Sequence, residues 1–129
     1  MSTIAVDSAR PSAGGTSYSL TQGVTKAWVN FNGTGTVAIR DSLNVGSITD
    51  VGTGRYDISY SSSFSQADYS VFLGGRKSDS NDDGNFAATC GNTTRVPTAS
   101  DTPITTVYVN SISLQDFPQV NLSSFGDLA

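Results

Sequence analysis

The chain has 129 residues, a net charge of −4 and a pI near 4.3, which is the size of a single domain. The acidic balance argues against nucleic acid or an anionic membrane as the direct partner. With no long apolar run and no signal peptide, we expect a soluble protein made in a cytoplasm.

Residues 1–17 show no periodic pattern, and the stretch RPSAGGT at 10–16 is typical of a linker. We therefore expect a flexible N-terminal arm over residues 1–17 and a single β domain over 18–129. Two interpretations of the arm stay open. It is either a disordered tail or an anchor whose apolar residues Ile4 and Val6 add as a strand to another protein and become ordered there.

The composition of the remainder favours strands over helices. All eleven acidic residues are Asp, and Ser, Thr and Gly are abundant, which suits strands joined by tight turns. Residues 26–32 alternate, with Ala27, Val29 and Phe31 on one face and Trp28 on the other. Residues 55–60 alternate strictly, and the denser apolar run at 69–73 predicts a strand buried on both faces.

Together the patterns predict about eight short strands and an antiparallel β-sandwich or jelly-roll-like fold. They are expected at residues 26–32, 36–40, 47–50, 55–60, 69–73, 86–90, 104–114 and about 120–125. Glycines 33 and 35 formally begin a G-x-G-x-x-A dinucleotide fingerprint. A strand rather than a helix is expected to follow them, so we interpret this stretch as a hairpin turn.

The residue types argue against catalysis. The chain has no histidine, which removes histidine triads, histidine bases and most zinc sites, and the lone Cys90 lacks its usual base. Asp41 and Asp57 are conceivable as a glycosidase pair, but nothing in their spacing distinguishes them from solvent-facing carboxylates. We predict that the protein is not an enzyme.

One acidic loop resembles half of a calcium site. Asp79, Asn81 and Asp83, followed by Gly84, match the start of the pattern D-x-[DN]-x-[DN]-G, in which alternate oxygens surround the cation. The twelfth position is Cys90 instead of Glu, and Asp, Asn and Gly are also ordinary turn residues. We favour a solvated loop over calcium binding, and we expect no other cofactor.

The aromatic residues are candidates for contacts between subunits. Trp28 lies on the face that a single-layer core does not need, which favours subunit packing over core packing, with a sugar-binding platform as the third interpretation. Phe31, Tyr56 and Tyr60 are further candidates for the same role.

Three segments resemble virion proteins of tailed bacteriophages, especially phages of aquatic bacteria. They are KAWVNFNGTGTVAIR at 26–40, NVGSITDVGTGRYDISY at 44–60 and ADYSV at 67–71. In that family the pattern is found in tail-fibre ends, head fibres and decoration proteins. The likeness covers about half the chain well, and residues 119–129 depart from it because they are more polar than the family's closing strand.

The resemblance implies a structural virion protein that forms a β-rich homotrimer and is attached to the head or tail by its N-terminal arm. Its partners would be copies of itself and other capsid or tail proteins. The alternative is a receptor-binding fibre tip that contacts a host surface glycan or protein through loops 61–66, 76–85 and 91–103. A cellular carbohydrate-binding module is a weaker alternative.

Overall fold

A computed structural model of the chain describes residues 3, 5–10, 13–76, 86–92 and 94–129. The strands are β1 (Ser8–Ala9), β2 (Tyr18–Ser19), β3 (Ala27–Asn32), β4 (Ala38–Leu43), β5 (Val45–Gly52), β6 (Arg55–Tyr60), β7 (Ser70–Arg76), β8 (Phe86–Cys90), β9 (Asp101–Tyr108), β10 (Ser113–Leu114) and β11 (Gln119–Phe125). A single helical turn, α1 (Leu20–Gly23), follows β2.

The fold is a sandwich of two antiparallel sheets, which confirms the predicted all-β class. The four-stranded sheet has the order β4-β3-β11-β7. In the five-stranded sheet, β5, β6 and β9 are neighbours, β10 pairs with the end of β9, and β8 pairs with its other edge. β1 and β2 form a separate small hairpin, so the expected arm boundary at residue 17 falls between two paired strands.

The core lies between the sheets and is fixed by the period of two in the strands. Aromatic rings bridge the layers: the Phe31 and Tyr56 ring centroids lie 5.1 Å apart at 73°. The fully buried apolar side chains come from both sheets, the loop between β6 and β7 and the link before β11: Ala27, Val29, Phe31, Tyr56, Ile58, Phe64, Ile104, Phe117, Val120 and Leu122.

The passage from one sheet to the other after β4 is made at Asn44. Its backbone adopts φ +55°, a left-handed conformation that Asn tolerates better than most residues. The Asn44 side chain also accepts a hydrogen bond from the Ser62 backbone N–H at 2.7 Å and donates one to the Ser62 carbonyl at 3.0 Å. This link places β4 and β5 at the same side of the sandwich.

Two strand predictions were wrong. Residues 104–114 do not form one long strand, because the chain turns back at 109–112 between β9 and β10. The run at 69–73 is not buried on both faces either: among the described strands β7 pairs with β11 alone, and Phe72 on its outer face is 65% exposed.

The turn between β9 and β10 is strained at Ile112, and we expect Ile112→Asn to stabilise the protein by about 1 kcal/mol. Ile112 has φ +49° and is 86% exposed, so the substitution relieves a costly backbone conformation and removes almost no packing. Urea unfolding of the two proteins measures the change. Ile112→Val, which keeps the β-branch, is the control and should show no gain; equal effects of the two substitutions would contradict the strain argument.

Candidate interaction surface

The outer face of the four-stranded sheet carries the clearest candidate site. Along β3 the side chains of Ala27, Val29 and Phe31 enter the core, whereas Trp28 and Asn30 point away from it and are half-buried. The predicted position of Trp28 opposite the core residues is therefore confirmed.

Strand register extends this face into an apolar row that crosses all four strands. Trp28 pairs with Leu43 on β4 and with Ser123 on β11, and Ser123 pairs with Phe72 on β7. Leu43 is 49% exposed and Phe72 is 65% exposed. Phe125 lies beside Phe72, with ring centroids 5.7 Å apart in an edge-to-face arrangement. We call Leu43, Trp28, Ser123, Phe72 and Phe125 the apolar row.

The adjacent row on the same face is polar and is held by its own hydrogen bonds. Asn30 pairs in register with Asp41 and Asn121, and the Asn30 amide donates to the Asn121 side chain. Arg40, at a β-bulge in β4, donates to Asn30 Oδ1 at 3.3 Å and to the Phe31 carbonyl at 3.1 Å. The charged groups in the polar row are Asp41 on the edge strand and the Arg40 guanidinium, which reaches Asn30 on β3, so the apolar row itself is uncharged.

Three of the four predicted subunit-packing residues lie instead in the core, which is a correction. Phe31 and Tyr56 have no exposed surface, and Tyr60 is only 8% exposed. A side chain already covered by its own chain has no surface left to bury against another copy. Trp28 alone among the four lies at the surface.

The buried tyrosines are held by hydrogen bonds that sequence patterns do not reveal. The Tyr56 hydroxyl lies 2.8 Å from Asp116 Oδ1 and 3.0 Å from the Gly33 carbonyl oxygen, and its one proton is shared between these two acceptors. The Tyr60 hydroxyl lies 2.6 Å from Thr102 Oγ1. Burial raises the pKa of Tyr56 well above its usual range, and the neighbouring Asp116 carboxylate raises it further.

A second group of hydroxyls lies near Tyr60. Its own hydroxyl is also 2.8 Å from Ser124 Oγ, and the Tyr69 hydroxyl lies 2.6 Å from Thr102 Oγ1. Burial raises the pKa values of Tyr60 and Tyr69. These contacts join the two sheets through polar groups that are satisfied within the chain.

The other sequence candidates are distributed away from this surface. The predicted calcium ligands Asp79, Asn81 and Asp83 lie outside the described residues. Within the described part of the chain, no group of three or more Cys or Asp side chains is placed to hold a metal ion. Asp41 and Asp57 lie on the outer faces of opposite sheets, so they cannot flank one glycosidic bond.

Of the two predicted anchor residues, the structure describes Val6. Val6 is 57% exposed in the segment before β1, and Ile4 lies outside the described residues. After the hairpin and α1, the Lys26 backbone N–H donates to the Ser124 carbonyl at 2.9 Å. The arm therefore joins the sandwich at the end where β11 finishes with Phe125, next to the apolar row.

Two of the three predicted contact loops meet at one end of the sandwich. The Tyr60 and Phe64 backbone N–H groups donate to the carbonyls of Ser100 and Ala99, each at 2.8 Å. Arg76, the last residue of β7, pairs with Gln119, the first residue of β11. The segment that leaves Arg76 therefore begins at the other end of the sandwich.

Comparisons of the chain with protein-family models, with curated proteins and with solved structures find no match. Among the described residues, no helix has the length and apolarity needed to cross a membrane.

Proposed function

We propose that the chain is a non-catalytic structural protein of a tailed-phage virion, a small homotrimeric β module that serves as a decoration, knob or short-fibre protein. The observation that carries the proposal is the exposed apolar row on the outer face of the four-stranded sheet. The phage assignment and the trimer are supported by the sequence resemblance over residues 26–40, 44–60 and 67–71.

The surface has the chemistry of a contact between protein subunits. Its apolar row has aromatic and aliphatic side chains flanked by amides, and the charged residues of the face, Asp41, Arg40 and Arg76, lie outside that row. Interface centres are depleted in charged residues and enriched in Trp, Tyr and Phe. We therefore assign other copies of this chain as the occupants of the face.

The area of this sheet face is too small to form a stable subunit interface by itself. At about 4.8 Å between strands and about 3.4 Å per residue, four strands of up to seven residues outline roughly 450 Å². A standard interface buries about 800 Å² on each partner. The sheet face supplies about half of that, so a stable trimer needs a second surface, for which the exposed strand β1 of the N-terminal hairpin is a candidate.

The first test is the solution mass by light scattering, on the full chain and on a variant lacking residues 1–17. A trimer in both would show that the β domain associates by itself and leaves the arm free to dock on the virion. A trimer of the full chain alone would assign the second surface to the arm. A monomeric full chain would contradict the trimer.

The second test is a substitution in the apolar row. Phe72→Ser should weaken trimer association at least about tenfold, since one buried Phe contributes about 1.5–3 kcal/mol. The variant should stay folded because Phe72 is 65% exposed. The matched control is Val51→Ser, which changes an apolar side chain, 46% exposed, on the other sheet and should leave the mass unchanged. Equal masses for Phe72→Ser and the wild type would remove the apolar row from the interface.

A further inference from the structure

The outer face of the five-stranded sheet, on the opposite side of the sandwich, bears a groove of about 440 Å³. Three neighbouring strands form its floor, and the loop before β9 forms one wall. The lining side chains are Thr49, Asp57, Ser59, Asp101 and Pro103 from the strands and Thr94, Arg95 and Val96 from the loop.

Strand register places the floor residues side by side. Asp57 on β6 pairs with Thr49 on β5 and with Pro103 on β9. Ser59 pairs with Asp101 in the neighbouring row. Carboxylates, hydroxyls and one apolar ring therefore alternate over a surface three strands wide.

The wall of the groove is held by hydrogen bonds around Asn92. The Asn92 side-chain oxygen accepts hydrogen bonds from the Thr94 and Arg95 backbone N–H groups at 2.9 and 3.0 Å. The Asn92 backbone N–H donates to the Arg95 carbonyl at 2.7 Å. Arg95 then reaches back to the sheet, where it pairs with Asp57 and donates to the Tyr56 carbonyl at 3.2 Å. The groove is thus formed before any ligand arrives, which lowers the entropic cost of binding.

The carboxylates of Asp57 and Asp101 differ in how many of their oxygens are free to accept a hydrogen bond from a ligand. Asp101 accepts from Ser59 at 2.6 Å and from Ser100 at 2.5 Å, and these bonds hold its pKa below the usual range. Asp57 uses Oδ1 for Arg95, while its Oδ2 and the Thr49 hydroxyl make no hydrogen bond within the described ranges of the chain. These two neighbouring groups can therefore accept from, and donate to, a bound molecule.

We propose that this groove binds one ring of a neutral saccharide. A sugar hydroxyl donates and accepts at once, so adjacent hydroxyls match Asp57 Oδ2 beside the Thr49 hydroxyl. Val96, which lines the groove and is 66% exposed, offers apolar surface to the C–H groups of the ring. The volume is at the lower end of the range for small-molecule sites.

Other ligand classes fit the groove less well. Two carboxylates disfavour an anion. A divalent cation prefers several free oxygens, but Asp57 is neutralised by Arg95 and both Asp101 oxygens already accept hydrogen bonds. The inference goes beyond the virion assignment and does not require a trimer, because the groove and the apolar row lie on opposite faces.

The test is saturation-transfer NMR of the full chain with glucose, galactose, mannose and N-acetylglucosamine, each supplied alone at millimolar concentration. We expect transfer from the protein to at least one of them. Thr49→Val should weaken that binding about tenfold, the loss of one hydrogen bond, and Asp57→Asn should weaken it as well. Thr49→Val keeps a β-branched residue on an exposed edge strand, so the fold is retained.

Thr105→Val is the matched control, since Thr105 lies on β9 outside the groove and its substitution should leave saccharide binding unchanged. No transfer to any of the four sugars overturns the proposal. Binding that survives both Thr49→Val and Asp57→Asn also overturns it, because the sugar would then lie elsewhere. Light scattering on the same samples reports the trimer separately.

Discussion

Phe31→Ala is expected to lower the free energy of unfolding by about 3–5 kcal/mol, enough to unfold much of a domain of this size. Phe31 has no exposed surface and stacks edge-to-face on Tyr56 from the opposite sheet, so truncation leaves a cavity between the layers. Urea unfolding followed by tyrosine and tryptophan fluorescence measures the loss.

Phe72→Ala is the matched comparison, since it makes the same chemical change on the outer face of the same sheet. A subunit contact adds stability that depends on protein concentration, whereas a core contact does not. Phe31→Ala should therefore lose stability equally at all concentrations, and Phe72→Ala should lose only the part that depends on concentration. If Phe31→Ala changed the solution mass and spared monomer stability, Phe31 would belong to the interface after all.

Trp28 and Phe31 show what alternation in the sequence can predict and what it cannot. A period of two assigned Trp28 and Phe31 to opposite faces of one strand, and the structure confirms that division. Alternation says which side chains share a face but not what covers it. Phe31 lies in one sheet and Tyr56 and Tyr60 in the other, and each is covered by the opposite sheet, which comes from distant parts of the chain. Their sequence pattern alone could not distinguish this from a neighbouring subunit.

Strand identity was easier to predict than strand position in a sheet. The dense apolar run that became β7 suggested a central strand, yet β11 takes the place between β3 and β7 and leaves β7 at the edge. Register likewise builds the groove on the five-stranded sheet, since Thr49, Asp57 and Pro103 are brought together from three strands. No local motif marks such a site.

The outer faces of the two sheets carry different kinds of side chain. One face has the uncharged apolar row, and the other has fixed carboxylates, hydroxyls and Arg95 around a groove. Packing copies through the first face would leave the second face in solvent. The proposed assembly and the proposed saccharide site are therefore compatible on one particle.

Above pH 10 the protein is expected to lose stability steeply and to unfold within about two pH units. Burial raises the pKa values of Tyr56, Tyr60 and Tyr69 above the value near 10 that tyrosine has in an unfolded chain. A group whose pKa is raised by folding stabilises the native state fully below its unfolded pKa and loses that contribution as the pH rises. Each such tyrosine removes about 1.4 kcal/mol per pH unit above pH 10.

Tyr56 and Tyr69, whose pKa values burial raises furthest, together give about 3 kcal/mol per pH unit, comparable over two units with the whole stability of a small domain. Tyrosinate absorbance and far-ultraviolet circular dichroism should therefore change together, because these hydroxyls ionise only when the sheets separate. Cys90 is exposed at the surface, but partial desolvation raises the pKa of its thiol, so the experiment is best made in a Cys90→Ser background. In that background Tyr56→Phe should reduce the pH dependence of the free energy of unfolding by about 1.4 kcal/mol per pH unit, which corresponds to one titrating proton. A tyrosinate titration that is complete near pH 10 with the circular dichroism unchanged would mean that the tyrosines are open to solvent and that the two-layer core is wrong.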